Sequence, residues 1–309
     1  MQESWHRYLR LGIVHFMAFP AVMRGTGPYV ETLRQLATDE FFGAVEVGWV
    51  DSDGERAAAA SVLRESHLSV GFAAQSALLV TKSNLNALDE KERRSAITLV
   101  QGCIDQAVQL GARRVAVLSG PYPGPADEGR AVGRLVDSLR ELCAYGRERS
   151  VGITLETFDR AIEKKALAGP TRLCVEIAEA VRRDSPGFGL MLDLSHIPLL
   201  GEGIRESLMT GREFLVHAHI GNCVMRDRAH PAYGDQHPRF GIEGGENDTP
   251  QVVEFLRVLF EIGYLGGVPD AGTDDRPFLS FEVKPQPGEL PEAVITGTKR
   301  VFADAWAQL

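Results

Sequence analysis

The chain has 309 residues, 44% hydrophobic and 24% charged, enough apolar content for a large core in one big domain or two small ones. A net charge of -9 repels phosphate backbones, so no nucleic-acid partner is expected. Cys103, Cys143, Cys174 and Cys223 are scattered and read as free thiols; with no signal-peptide core and no apolar run near the roughly 18 residues of a membrane span, the expectation is a cytoplasmic protein without a membrane partner.

Short apolar, β-branched segments recur along the chain. They begin with LGIVHFMAF (11–19), GAVEVGWV (43–50) and LSVGFAA (68–74). A helical pattern over 89–110 follows, with Ile97, Val100, Ile104 and Ala107 on one face and Gly111 where a helix end favours glycine. RRVAVLSG (113–120), VGITLETF (151–158), FGLMLDLSH (188–196) and FLVHAHIGN (214–222) come next. The stretch 223–248 carries neither pattern, and a loop that long in a compact domain is usually functional or disordered. Beyond it stand a helix over 249–262, with Thr249 as cap and Pro250 in the first turn, the strand PFLSFEVK (277–284) and a helix over 291–309.

Eight strand-then-helix units predict an α/β fold, a (β/α)8 TIM barrel, as a single domain over 1–309. The competing doubly wound open sheet lacks support, because no G-x-G-x-x-G or Walker sequence follows the first strand.

In such a barrel, functional groups sit where strands end. The fifth strand ends with Glu156, the sixth with Asp193 and His196, the seventh with His217 and His219, and the eighth with Glu282. Three carboxylates converging on one pole would repel and desolvate at a cost of several kcal/mol unless a cation compensates them. Oxygen-rich ligation with one imidazole favours Mn2+, with Mg2+, Co2+ and Zn2+ also compatible. Each residue has a plainer role open to it: a strand-end salt bridge for Glu156 or Asp193, and a satisfied core histidine for His217, one layer below His219. Glu46 also tends inward, where a lone buried acid often pairs with an arginine. Lys284, on the same face as Glu282, can meet an anionic group or simply be solvated.

The order L-E-T-F, L-D-L-S-H, H-A-H-I-G-N, S-F-E-V resembles the xylose isomerase-like TIM-barrel superfamily of sugar isomerases, ketose 3-epimerases, hydroxypyruvate isomerases, inosose dehydratases and endonuclease IV-type repair enzymes. The resemblance implies that Glu156, Asp193, His219 and Glu282 hold one divalent metal and that His196 contacts substrate. It further implies that Glu156 and Glu282 do the acid/base work on a keto-sugar, at a C–H made more acidic by metal chelation of the neighbouring carbonyl. The implied activity is that of a sugar isomerase or epimerase. Elimination from a 3-oxo-glycoside, as in C-glycoside deglycosidases with their small partner subunit, or from an inosose uses the same groups.

The loop after the seventh strand departs from the epimerase pattern. Arg226 takes the place of a substrate-binding arginine, while Asp235-Gln236-His237 resembles both the hydroxypyruvate isomerase run, placing His237 against substrate, and the Asp-x-His that holds an additional zinc in the repair nucleases. Those nucleases also need histidines at the ends of strands three and four, where Gln75 and Ser119 stand here. Glu46 completes the residues expected near substrate. A small-molecule sugar or glycoside is the expected partner, and related barrels often form homo-oligomers. A silent sugar-binding barrel is the reading from another class, opposed by the intact ligand set.

Overall fold

A computed structural model describes residues 3–266 and 276–309. The strands are β1 (Arg10–Ile13), β2 (Ala44–Val47), β3 (Ser69–Ala73), β4 (Arg114–Val117), β5 (Gly152–Glu156), β6 (Gly189–Asp193), β7 (Leu215–Gly221) and β8 (Phe278–Glu282). All pairings are parallel, and the order β1-β8-β7-β6-β5-β4-β3-β2 wraps the sheet into a ring. The remaining seam lies between β1 and β2, where the Gly43 N–H donates to the Leu11 carbonyl at 2.9 Å and Val14 bridges Glu46. The result is the expected (β/α)8 barrel.

Helices cover the strands, and those at 90–110, 249–261 and 291–307 were legible in the sequence. The helix Glu90–Leu110 starts on Asp89, which accepts from the Glu92 N–H at 2.9 Å, and ends on Gly111 at φ 80°. It buries Ala96, Ile97, Val100, Cys103, Ile104 and Ala107. Truncating a fully buried member such as Ile104 to alanine would cost about 2–5 kcal/mol through lost transfer energy and the cavity left behind. All four cysteines are buried and free. No helix among the described residues is long and apolar enough to cross a membrane.

Several local expectations need correction. The run 11–19 is strand only to Ile13; His15–Ala18 turn into a short helix, with the Ala18 N–H bonded to the Val14 carbonyl. A short apolar run fits strand and buried helix equally, and barrel geometry decided between them. Likewise β2, β4 and β6 stop at Val47, Val117 and Asp193, ahead of the expected 50, 120 and 196, and His196 opens a short helix, His196–Leu200. The helix Thr249–Glu261 is capped by Asp248, whose carboxylate takes the Thr249 N–H at 2.8 Å while Gln251 reaches back to the Asp248 N–H.

The stretch 223–248 is held on the rim. Asn222 Oδ1 accepts from the Cys223 and Asn247 N–H groups, and Asn247 Nδ2 donates to the Leu194 and Gly221 carbonyls. The Lys284 N–H donates to the His237 carbonyl at 2.7 Å, tying this segment to the end of β8.

Candidate active site

Glu156, Asp193 and Glu282 are the last residues of β5, β6 and β8, so the end of each strand delivers its carboxylate to one pole. His219 joins them through the register, lying opposite Asp193 on one side and Ser280 on the other. One donor atom from each of the four falls within 4.8 Å of every other. His219 Nδ1 is 2.6 Å from Glu282 Oε2, 3.6 Å from Glu156 Oε1 and 4.0 Å from Asp193 Oδ2.

The remaining oxygens are held from behind. Glu156 Oε2 accepts from Gln75 Nε2 at 2.7 Å, and Asp193 Oδ1 accepts from the Ser195 N–H at 2.7 Å. Glu156 Oε1 and Asp193 Oδ2 are buried without a hydrogen-bond partner. Leaving such acceptors bare is costly, and two of them aimed at one point fit a cation.

Electrostatics separates the two glutamates. Burial, then the neighbouring Glu282 carboxylate, pushes Glu156 up to about 8. Burial acts on Glu282 in the same direction, but His237 and His219 outweigh it and hold that carboxyl at about 2. Asp193 is raised by burial. Burial would lower His219, yet Glu46 and Glu282 raise it well above the ordinary histidine value. Without an ion, therefore, Glu156 holds a proton at neutral pH while Glu282 is ionised.

A cavity of about 160 Å³ opens over this floor, lined by Glu156, Glu282, His219, Asp235 and His237. Phe16, Met17, Met23, Leu79 and Val80 give it an apolar lining, and Glu163, Lys164, Gln236 and Lys284 add polar and charged groups. Lys284 is half-buried and donates to Gln236 Oε1 at 2.6 Å; burial and then Lys164 lower its pKa. It is therefore a pocket residue and more than a solvated strand end.

Of the residues expected against substrate, His237 lines the cavity and three do not. His196 is fully buried and does not line the cavity. Its Nδ1 donates to the Thr157 carbonyl at 2.7 Å, Phe158 covers its ring with centroids 4.5 Å apart, and Nε2 faces Asp235 Oδ1 at 3.0 Å. Arg226 points to solvent, 77% exposed, and pairs with Glu246. Glu46 sits behind His219, where both His217 Nε2 and His219 Nε2 donate to its Oε1 at 2.8 and 2.9 Å. Burial pushes Glu46 up, but these two imidazoles outweigh it and hold it well below the usual carboxylate range. Its partners are thus histidines and not an arginine, and His217 is the satisfied inner histidine the sequence allowed.

His237 Nε2 lies 2.8 Å from Asp235 Oδ1, and Asp193, His196 and His237 form a second group whose donor atoms converge. Asp235 also has a cation in place: Lys164 Nζ is 3.0 Å from its Oδ2. Asp159 sets this up by accepting the N–H groups of Ile162, Glu163 and Lys164, at 2.6–2.8 Å, which folds the loop after β5 inward. Gln75 and Lys164 escaped the sequence reading. The polar residue directly after the apolar segment 68–74 was a signal for Gln75; nothing local marks Lys164.

A family model for xylose isomerase-like TIM barrels matches residues 33–283. The chain belongs to the xylose isomerase-like TIM-barrel family. Solved structures of the same fold include a D-tagatose 3-epimerase-like protein, 17% identical over 97% of this chain and 99% of that one with a TM-score of 0.72. A D-psicose 3-epimerase in the presence of D-fructose is 13% identical over 96% and 97%, with a TM-score of 0.70. The IOLI protein with a bound zinc atom is 18% identical over 97% and 99%, also at 0.70. A search of curated proteins finds no match. At these identities the likeness establishes the fold, and the site must argue for itself.

Proposed function

We propose that this family member is a divalent-metal-dependent sugar isomerase or epimerase that moves a proton next to the carbonyl of a keto-sugar. The observation that carries the reading is the pair of partnerless buried oxygens, Glu156 Oε1 and Asp193 Oδ2, converging with His219 and Glu282 on the floor of an open cavity. Three carboxylates and one imidazole suit an oxygen-loving ion, Mn2+ first, with Mg2+, Co2+ or Zn2+ as substitutes. A neighbour of the same fold bears zinc. When bound, the ion supplies the Lewis acidity that makes a C–H beside a carbonyl easier to ionise.

The chain's own groups supply the rest. Glu156 and Glu282 both face the cavity from different strands, so one can take a proton from the substrate carbon while the other returns one. Gln75 keeps Glu156 turned inward, and His237, Gln236 and Lys284 present polar groups to sugar hydroxyls. We propose one ion, because Asp235 already has Lys164, His196 and His237 around it.

The apolar lining of Phe16, Met17, Met23, Leu79 and Val80 favours a second reading, elimination from a 3-oxo-glycoside whose aglycone lies there, with the same two glutamates. The deciding experiment is solvent deuterium incorporation by NMR, with Mn2+ and with chelator, over ketoses, ketose phosphates, inososes and 3-oxo-glucosides. Metal-dependent exchange into one class supports the proposal, and release of aglycone or water marks elimination. Metal-loaded protein that exchanges none of them overturns it.

A further inference from the structure

The two nitrogens of His219 face different worlds. Nδ1 looks into the carboxylate cluster, while Nε2 is turned to Glu46, 1% exposed and lying on β2 across the barrel. We propose that Glu46 is a positioning residue that fixes His219 with its proton on Nε2, so that Nδ1 is the nitrogen offered to a metal ion. The inference deepens the metal reading above and rests on it.

The chemistry follows from what a carboxylate can do. It accepts hydrogen bonds and donates none, so without an ion both ring nitrogens carry a hydrogen, Nε2 held 2.9 Å from Glu46 Oε1 and Nδ1 2.6 Å from Glu282 Oε2; an ion drawn in by the carboxylate cluster displaces the hydrogen on Nδ1, while Glu46 keeps the one on Nε2. A neutral imidazole has one N–H and one lone pair, and placing the hydrogen on Nε2 leaves the lone pair on Nδ1. The same oxygen takes the Nε2–H of His217 at 2.8 Å, two residues earlier on β7. The two rings meet edge to face, 5.0 Å between centroids at 85°, so neither can turn without disturbing the other. A carboxylate with two donors from one strand is a clamp on that strand's side-chain directions.

The barrel makes room for the clamp. Gly71 on β3 lies opposite Glu46, and a Cβ there would come within 2.9 Å of Glu46 Cγ. The missing side chain lets a glutamate extend across the interior toward β7. Glu46 does not line the substrate cavity, so its effect reaches the site only through His219.

The test uses metal ions alone, without any sugar. In wild-type protein loaded with Zn2+, 15N-resolved NMR of the histidine rings should show His219 with Nδ1 coordinated and Nε2 protonated. Titration with Co2+ should show Glu46→Gln binding about 10–100-fold more weakly, with altered visible bands, because the amide is a weaker acceptor and can turn its NH2 toward the ring. Circular dichroism establishes that the variant is folded. A Zn2+-loaded wild type with the proton on His219 Nδ1 overturns the inference without needing any variant. So does a folded Glu46→Gln with wild-type Co2+ affinity and bands, while wild-type uptake leaves the metal reading standing. Wild-type protein that takes up neither ion overturns the metal reading and this inference with it.

Discussion

Replacing Glu156 by glutamine separates the energetic cost of the site from its use. In the metal-free protein, burial and the adjacent Glu282 raise this carboxyl from the ordinary 4.5 to about 8. A raised acid holds its proton more tightly when folded, so its stability contribution is complete below about pH 4.5 and is lost as pH climbs through about 8. At about 1.4 kcal/mol per pKa unit, ionising it inside the folded barrel costs on the order of 5 kcal/mol. For a chain of this length, that corresponds to a Tm change on the order of 10 °C. Glu156→Gln cannot ionise, and the amide oxygen can still accept from Gln75 Nε2. The variant should match wild type near pH 5 in chelator and melt several degrees higher near pH 9. Thermal unfolding followed by circular dichroism from pH 5 to 9 reads the difference. Equal pH slopes in the two proteins would refute the claim that Glu156 is ionised against its surroundings.

The other expectations concern chemistry more than stability. Glu282→Gln should remove the acceptor carboxylate and cut metal-dependent deuterium exchange by about 10²-fold or more, with the fold retained by circular dichroism. Because a metal must displace the protons of Glu156 and His219, apparent Mn2+ affinity should rise from pH 6 through about 8; a pH-independent affinity by calorimetry would contradict this. Gln75→Leu removes the donor to Glu156 Oε2 and should weaken Mn2+ binding severalfold, measured by the same titration.

How much of this could be read from the chain alone is clear at particular residues. Glu156, Asp193 and Glu282 were legible because each closes an apolar, β-branched run, and a barrel turns the position of a strand end into a place in space. His219 followed from two-residue alternation, which also put His217 on its face one layer down. The rim was less legible. His15–Ala18 has the composition of a strand and folds as a helix, and it is this turn that brings Phe16 and Met17 to the cavity wall. Local composition carried no information about that choice, since both conformations bury the same side chains.

Partners were the hardest thing to read, for a physical reason. The sequence shows that Glu46 is an acid inside an apolar run, and burial demands a compensating group. It does not say which, because compensation acts across the barrel: the histidines that meet Glu46 are 171 and 173 residues away. Lys164 meets Asp235 across 71 positions of chain, from a loop folded inward by Asp159. His196, three residues beyond Asp193, was expected to touch substrate, but its Nδ1 donates to the Thr157 carbonyl and its Nε2 faces Asp235, so the ring is buried away from the cavity. Residue type and spacing therefore located the carboxylates, whereas the division between candidate ligands, their supports and pocket walls was set by contacts between residues far apart in the chain.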